Sequence, residues 1–352
     1  MQVVIMAGGR GTRFWPHSRI QRPKQFLHIV GEDTMLRQTY DRIRSIAPPD
    51  AIWVVTNAEY GATVAEQLPD LPEENIISEP AIRSTAPCIG LTALHIRHRV
   101  GNEMMVVLPA DHFIPDTDQF IQCLRTCEAT AEKEAGFVTI GINPTAPETG
   151  YGYIHVGDAL GKNIHHVRGF REKPDRIKAE QFLSGGEHLW NSGMFVWSVD
   201  AILSGLEQYC PEVYSGLSAL DAYIGTDEEG AQLARIYTEL PNISIDYAVM
   251  EKASRVYVVK GGFSWSDVGS WSAVEQFWPI DADGNAFKGQ VVGIDVHNSI
   301  VDSSDKLTAI VGLDDIIVIN TSDALLICHK DRDQDIKKII ERLEDLGQQE
   351  YL

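Results

Sequence analysis

Apolar and polar positions fall along this chain in blocks. The apolar runs Val3–Met6, Ile52–Val55 and Met104–Leu108, and Gly136–Ile142, interrupted only by Thr139, read as strands buried on both faces. Asn75–Ser78 reads as a shorter one. Between them lie stretches with helical spacing. One runs from Met35 to about Ile46 behind the capping pair Asp33-Thr34. Others cover Ala58–Gln67, Thr85–Val100 and Gln119–Glu134. Pro87 sits in the first turn of the third, where its missing N–H does no harm. This alternation predicts an α/β fold with a Rossmann-like mixed, mostly parallel sheet and helices on both faces. Ligands in such folds bind beyond the C-terminal ends of strands, where the segment after Met6 and Asp111 both fall.

The rhythm changes at Glu148–Ile154, a glycine-rich turn into a strand. Val167–Arg171 is a further strand, ending at Glu172-Lys173-Pro174, and Asp175 starts a helix to about Leu183. Trp190-Asn191-Ser192-Gly193 reads as a loop entering a strand, followed by helical stretches to about Leu240. Ile245–Lys252 reads as a helix, Val256–Val259 as a strand and Trp265–Trp271 as a polar turn. From about Asn285 short β-branched runs recur, separated by polar turns such as Ser303-Ser304-Asp305 and Asp314-Asp315, which predicts a small all-β unit. Ile336, Ile339, Ile340, Leu343 and Leu346 form one apolar stripe on a terminal helix closed by Gly347. The expected organisation is a large α/β domain over 1–275 and a β unit with its terminal helix over 285–352.

Composition narrows the class. The 352 residues carry a net charge of −20, which argues against a nucleic-acid partner. An anionic ligand would have to be drawn in by a local basic pocket, aided by a metal ion. The five cysteines form no C-x-x-C pair. Cys123 and Cys127 could share a helix face, but no second pair completes a metal site, so they read as buried small hydrophobes. The expectation is a cytoplasmic protein with reduced thiols, no signal peptide and no membrane partner, since no apolar run approaches ~20 residues. The histidines, His165-His166 included, show no ligand spacing.

The first strand runs into Ala7-Gly8-Gly9-Arg10-Gly11-Thr12-Arg13-Phe14-Trp15-Pro16, with Arg22-Pro23-Lys24-Gln25-Phe26 beyond. Glycines 8, 9 and 11 leave no Cβ between a ligand and the backbone, and successive N–H groups in such a loop form an anion-binding concavity. Arg10, Arg13, Arg19, Arg22 and Lys24 add positive charge. A polyphosphate fits this combination. The dinucleotide fingerprint is excluded because Phe14 stands where its third glycine belongs, and no P-loop string occurs.

G-G-x-G-x-R-x-x-P followed by P-K resembles the signature of the sugar-nucleotide pyrophosphorylases, a nucleotidyltransferase family. The longer string Gly11–Pro16 with Pro23–Phe26 most resembles its mannose-1-phosphate guanylyltransferase (GDP-mannose pyrophosphorylase) branch, with His17 departing from the usual leucine. The resemblance implies that mannose 1-phosphate and GTP give GDP-mannose and pyrophosphate, by in-line attack of the sugar phosphate on the α-phosphorus with Mg2+ assistance. It also implies a homodimer and a short left-handed β-helix at the C-terminus.

On that reading Arg13 and Lys24 clamp the triphosphate and the leaving pyrophosphate, and the backbone of Ala7, Gly8, Gly9, Gly11 and Thr12 approaches the nucleotide. Asp111 and Asp267 are the metal candidates, Asp111 also standing near the sugar phosphate. Asp111 alone would read as a helix cap or turn residue, and Asp267 in Ser266-Asp267-Val268-Gly269 as a turn. Lys173 meets the attacking phosphate, Glu172 and Asn191 the sugar hydroxyls, and Gly152 lies beside the ring. Ser84 and Thr85, in the segment Glu79–Pro87 that resembles the family's base-contacting stretch, either bond the base or cap a helix. Asp246 could cap the following helix and has no clear role. Guanine's N1/N2 donor edge suits a carboxylate or carbonyls.

The open alternatives are another sugar or base (a heptose 1-phosphate guanylyltransferase, a uridylyl or thymidylyl enzyme) and a non-catalytic regulatory protein that senses GDP-mannose. The last should lack Lys24, Asp111 or Lys173, and all three are present. A chain of this length is expected to lack the cupin-like isomerase domain that bifunctional members carry, and so to have one activity.

Overall fold

The computed structural model describes residues 1–9 and 11–352, with Asp305 described by its backbone alone. Arg10, one of the cations counted above, therefore lies outside the described residues. The strands are β1 (Gln2–Met6), β2 (Ile52–Asn57), β3 (Ile76–Glu79), β4 (Met104–Pro109), β5 (Phe137–Ile142), β6 (Gly152–Ala159), β7 (Ile164–Arg171), β8 (His188–Ser198), β9 (Val256–Lys260), β10 (Ala286–Ile294), β11 (Ile300–Val311), β12 (Ile316–Asn320) and β13 (Leu325–His329). The α-helices are α1 (Met35–Ile43), α2 (Gly61–Gln67), α3 (Thr85–Val100), α4 (Thr117–Glu134), α5 (Arg176–Gly185), α6 (Val199–Tyr209), α7 (Pro211–Asp221), α8 (Glu229–Tyr237) and α9 (Ile336–Asp345). They fall into two compact units. One holds residues 1–8, 40–110 and 114–265; the other holds 9–39, 111–113 and 266–352.

The first unit is built on a sheet of order β3-β2-β1-β4-β8-β5-β9-β7-β6, in which β6 also pairs with β8. Its first four strands are parallel, with Val3 opposite Ile52 and Val106. The sheet turns antiparallel at β8, which runs against β4, β5 and β6. Parallel pairing thus prevails only in the half that carries the first β–α repeats; the hairpin β6–β7 and the long β8 supply the mixed half. Val4, Trp53, Val55, Met105 and Val107 share one face and are buried against α3, α6 and α7. Helix α4 packs on β4, β5, β8 and β9. Trp190–Gly193, expected as a loop, lies inside β8. Asn191 pairs with Gly152 and with Gly141, and the ladder to β5 slips its register between Thr139 and Gly141. A bulge, which a run rich in small polar residues accommodates, takes the place of the loop.

In the second unit, β10, β11 and β12 are parallel neighbours and β13 returns antiparallel. Parallel neighbours in an open sheet need a crossover of about a dozen residues or more. Here the links are residues 295–299 and 312–315, so the chain coils and stacks as a β-helix-like unit. Asp295, Asn298 and Asp315 take left-handed backbone at the corners, with φ of 51°, 50° and 55°. Ala286, Ile300 and Ile317 stack in register and are fully buried. They share a core with Phe14, Trp15, Leu27, Met35, Trp271 and Trp278. Ser303–Asp305, expected as a turn, lies within β11. Opposite Gly289 and Val291 the register jumps from Ser303 to Thr308, and Asn320 Nδ2 donates to Ser303 Oγ at 3.2 Å. The apolar stripe of α9 is split. Ile336 is buried and Ile340 and Leu343 pack on the core, but Ile339 is 43% exposed and Leu346 64%. Leu346 lies beyond the helix, where Gly347 turns with φ of +69°. Among the described residues no helix is long and apolar enough to cross a membrane.

Candidate active site

The glycine loop begins where β1 ends. Ala7 is committed to the sheet: its N–H donates to the Val55 carbonyl at 2.7 Å and its carbonyl accepts from Thr56 Oγ1 at 2.9 Å. The N–H groups of Gly8, Gly9, Gly11 and Thr12 have no acceptor among the described residues. Gly9 and Gly11 have φ of 96° and 56°, which a side chain would strain. At Gly11 the packing also demands glycine, since a Cβ there would stand 2.3 Å from Lys24 Cβ.

Lys24, buried beneath this loop, gathers the acidic segments. Its Nζ donates to Asp111 Oδ2 at 2.8 Å, to the Asp111 carbonyl at 3.1 Å and to the Asp267 carbonyl at 2.5 Å. Burial alone would raise the Asp111 carboxyl, but the charges of Lys24 and His112 and the Lys24 hydrogen bond hold it below its ordinary value. Asp111 caps no helix; Asp116 precedes α4. The Asp267 carboxylate lies over Gly269, where a Cβ would stand 3.0 Å from either of its oxygens. The exposed Arg13 donates from Nη1 to the Gly269 carbonyl at 3.2 Å. Gly9, Gly11, Arg13, Lys24, Asp111 and Asp267 are thus brought together in the second unit, from three separate stretches of chain.

The candidates for the sugar phosphate and the base belong to the first unit. A Cβ on Gly152 would stand 2.5 Å from Glu172 Oε2 and 3.3 Å from Asn191 Cβ, so these three residues surround one small space. Lys173 Nζ lies 3.0 Å from Glu172 Oε1. Asn191 Nδ2 donates to Asp246 Oδ1 at 2.7 Å. Asp246 therefore accepts from a side chain of β8, and Ile245 rather than Asp246 stands at the N-cap of the turn that follows. Thr85 Oγ1 accepts from the Ile245 N–H at 2.8 Å, while Ser84, which precedes α3, makes no capping bond with its side chain. Ser84, Lys173 and Val268 have φ of 63°, 43° and 46°. Left-handed backbone at three non-glycine positions, one of them β-branched, costs roughly 1–3 kcal/mol each and tends to gather at functional sites.

Sequence reasoning named no role for Glu79, at the end of β3. It is buried, its Oε1 accepts the Tyr237 hydroxyl bond, and a Cβ on Gly8 would stand 3.9 Å from its Oε2. Burial pushes the Glu79 carboxyl up to about 7 against the opposing Tyr237 hydrogen bond. The signal available was a lone carboxylate closing an apolar strand before Pro80.

The nucleotidyl transferase family model matches residues 2–283, and a mannose-phosphate isomerase/GMP-like β-helix domain model matches 289–343. Mannose-1-phosphate guanylyltransferases from Klebsiella pneumoniae and Escherichia coli are 41% and 40% identical to this chain. Each alignment covers 99% of this chain and 75% of the relative. The chain belongs to the mannose-1-phosphate guanylyltransferase family. A solved structure from Thermus thermophilus, described as a mannose-1-phosphate geranyltransferase, matches with a TM-score of 0.88 at 33% identity, over 97% of this chain and 99% of that one. From Gly9 onward the loop, with Lys24, belongs to the same compact unit as the β-helix-like coil.

Proposed function

We propose that this guanylyltransferase joins mannose 1-phosphate to GTP, giving GDP-mannose and pyrophosphate. The observation that carries the reading is the Lys24 ammonium under the glycine loop, bonded to Asp111 and Asp267. An oxyanion of the sugar phosphate attacks the α-phosphorus, that P–O bond forms, and the bond to the β-phosphate oxygen breaks. No covalent enzyme intermediate is needed. The protein positions two anions and offsets the charge that develops.

The N–H groups of Gly8, Gly9, Gly11 and Thr12, which have no acceptor among the described residues, receive phosphate oxygens, and Arg13 adds an exposed cation. Lys24 keeps Asp111 ionised and in place. Asp111 and Asp267 offer hard oxygen donors that suit Mg2+, which takes one or two carboxylates beside phosphate oxygens and water. Among the described residues no group of three or more metal-binding side chains stands ready, so the triphosphate would complete the coordination. Mg2+ held there would neutralise charge on the departing pyrophosphate. Glu172 and Asn191 bind sugar hydroxyls, Gly152 leaves space for the ring, and Lys173 meets the phosphate. Ionised Glu79 accepts from guanine N1–H and N2–H, donors that adenine and the pyrimidines do not present together. Ser84 and Thr85 line the same segment.

A cytoplasmic homodimer completes the reading. The exposed apolar side chains Val292, Ile294, Val311 and Ile327 on the β-helix-like unit support the dimer. The reverse reaction tests the function: with GDP-mannose, pyrophosphate and Mg2+, the purified protein should form GTP and mannose 1-phosphate. Failure to consume GDP-mannose while consuming another sugar nucleotide would overturn the substrate assignment.

A further inference from the structure

Asp246 is a half-buried carboxylate of the sugar-phosphate half that the reaction above leaves unused. It opens the π-helical turn Asp246–Met250, and its Oδ1 accepts from Asn191 Nδ2 at 2.7 Å. The other end of the Asn191 amide is also held. The Gly193 N–H donates to Asn191 Oδ1 at 3.3 Å, and Thr139 Oγ1, whose one proton is shared between this oxygen at 3.2 Å and the Met194 carbonyl at 3.1 Å, faces the same end. The amide is therefore fixed in one orientation, with one N–H on Asp246 and a second N–H left for a ligand.

The chemistry of a hydroxyl shows why orientation matters. A hydroxyl has one proton to donate and lone pairs to accept. Placed between Glu172 and Asn191, it can donate to the carboxylate and accept from the amide N–H. A flipped amide would face it with a second acceptor, and one of the two would go unsatisfied. An unmade bond at a partly buried acceptor weakens binding. Gly152, whose missing Cβ opens the space bounded by both side chains, makes room for such a group.

We propose that Asp246 is a positioning residue of the sugar-phosphate subsite, holding the Asn191 amide so that it presents an N–H to a hexose hydroxyl beside Glu172. The proposal rests on the assignment of this half to the sugar phosphate. The charged groups around Asp246 are Glu172 and Lys173, from the turn after β7. Burial, then the Glu172 charge, push the Asp246 carboxyl up to about 6, and the Asn191 bond and Lys173 oppose the rise. The positioning bond is charge-assisted above that pH and neutral below it.

Steady-state kinetics on the full chain test this, with each substrate varied at a saturating level of the other. Asp246→Ala should raise KM for mannose 1-phosphate about tenfold and leave KM for GTP within about twofold, the scale of one hydrogen bond. Asp246→Asn, which keeps an acceptor oxygen, should recover most of the loss. The wild-type rise in this KM below about pH 6 should be absent from it. Asp246→Ala added to Asn191→Ala should cost nothing further, because the first residue acts through the second. Equal losses for both substrates, an additive double variant, or Asp246→Asn as impaired as Asp246→Ala would each overturn the proposal. A wild-type protein inert toward mannose 1-phosphate would overturn the subsite assignment and this proposal with it. Normal wild-type turnover with an additive double variant would remove only the role of Asp246.

Discussion

Lys24 and Asp111 form a 2.8 Å ion pair between partners of unequal exposure: the lysine side chain is 6% exposed and the carboxylate 37%. The ammonium also holds both backbone carbonyls, so it organises the acidic segments from below while the Asp111 carboxylate remains open to a ligand. Lys24→Met keeps the apolar stem and removes the charge. It should lower kcat/KM by roughly 100- to 1000-fold, the scale for losing one preorganised electrostatic group, with the KM for GTP carrying the smaller share. Kinetics under saturating Mg2+ check this. A change below tenfold would place Lys24 outside the reaction.

Gly11→Ala should be more damaging than Gly9→Ala. Both positions have positive φ, but only at Gly11 does the new methyl run into the Lys24 backbone and Cβ, whereas nothing lies within 4 Å of a Cβ at Gly9. The expected result is a loss of turnover and of GTP affinity at Gly11 together with a Tm drop of several degrees, on the order of a 1–3 kcal/mol overpacking cost. Equal effects at the two sites would contradict the packing argument.

Glu79 should make both stability and GTP binding depend on pH. Its folded value of about 7 stands above its ordinary 4.5. Between these values the unfolded chain has lost the proton and the folded chain keeps it. Stability therefore falls as pH rises through this window, by about 3 kcal/mol in total for a fully buried group. Glu79→Gln removes the effect. Its Tm advantage over wild type should grow from near zero at pH 4.5 to a maximum above pH 7. Wild-type GTP binding should strengthen as pH rises through 7, and the variant should bind GTP weakly at every pH with poor discrimination against ATP. A Tm difference independent of pH would contradict the buried carboxyl.

Asp111→Asn and Asp267→Asn should each raise the Mg2+ concentration needed for half-maximal rate by tenfold or more, as expected when one of two carboxylate donors is lost. Chelation of divalent ions should abolish turnover, and readdition should restore it. Unchanged Mg2+ dependence in both variants would sink the metal assignment.

Much of the fold was legible because it is written in local pattern. Helix α3 occupies the predicted Thr85–Val100, where apolar periodicity and Pro87 agree. The mixed half of the sheet was not legible. Strand β8 contains Asn191, Ser192 and Gly193, which locally favour a loop and are held in a strand only by pairing with β5 and β6. The candidate site divides the same way. The glycine loop and Lys24 stand out in sequence as types and spacing. What Lys24 touches does not, because its partners lie 87 and 243 residues away. Glu79 is silent alone; its meaning comes from burial and from Tyr237, 158 residues on. On sequence alone Asp246 could cap a helix; in the fold its carboxylate accepts from Asn191, 55 residues away.

The most direct test of the central claim is pyrophosphate release by the purified protein with Mg2+ and mannose 1-phosphate, supplied in turn with GTP, ATP, UTP and dTTP. The structure predicts rapid release with GTP, GDP-mannose as the co-product, and rates lower by about 100-fold or more with the others. Comparable turnover with another nucleotide would contradict guanine selection by Glu79. No release with any of the four would contradict the assignment of this chain to GDP-mannose synthesis.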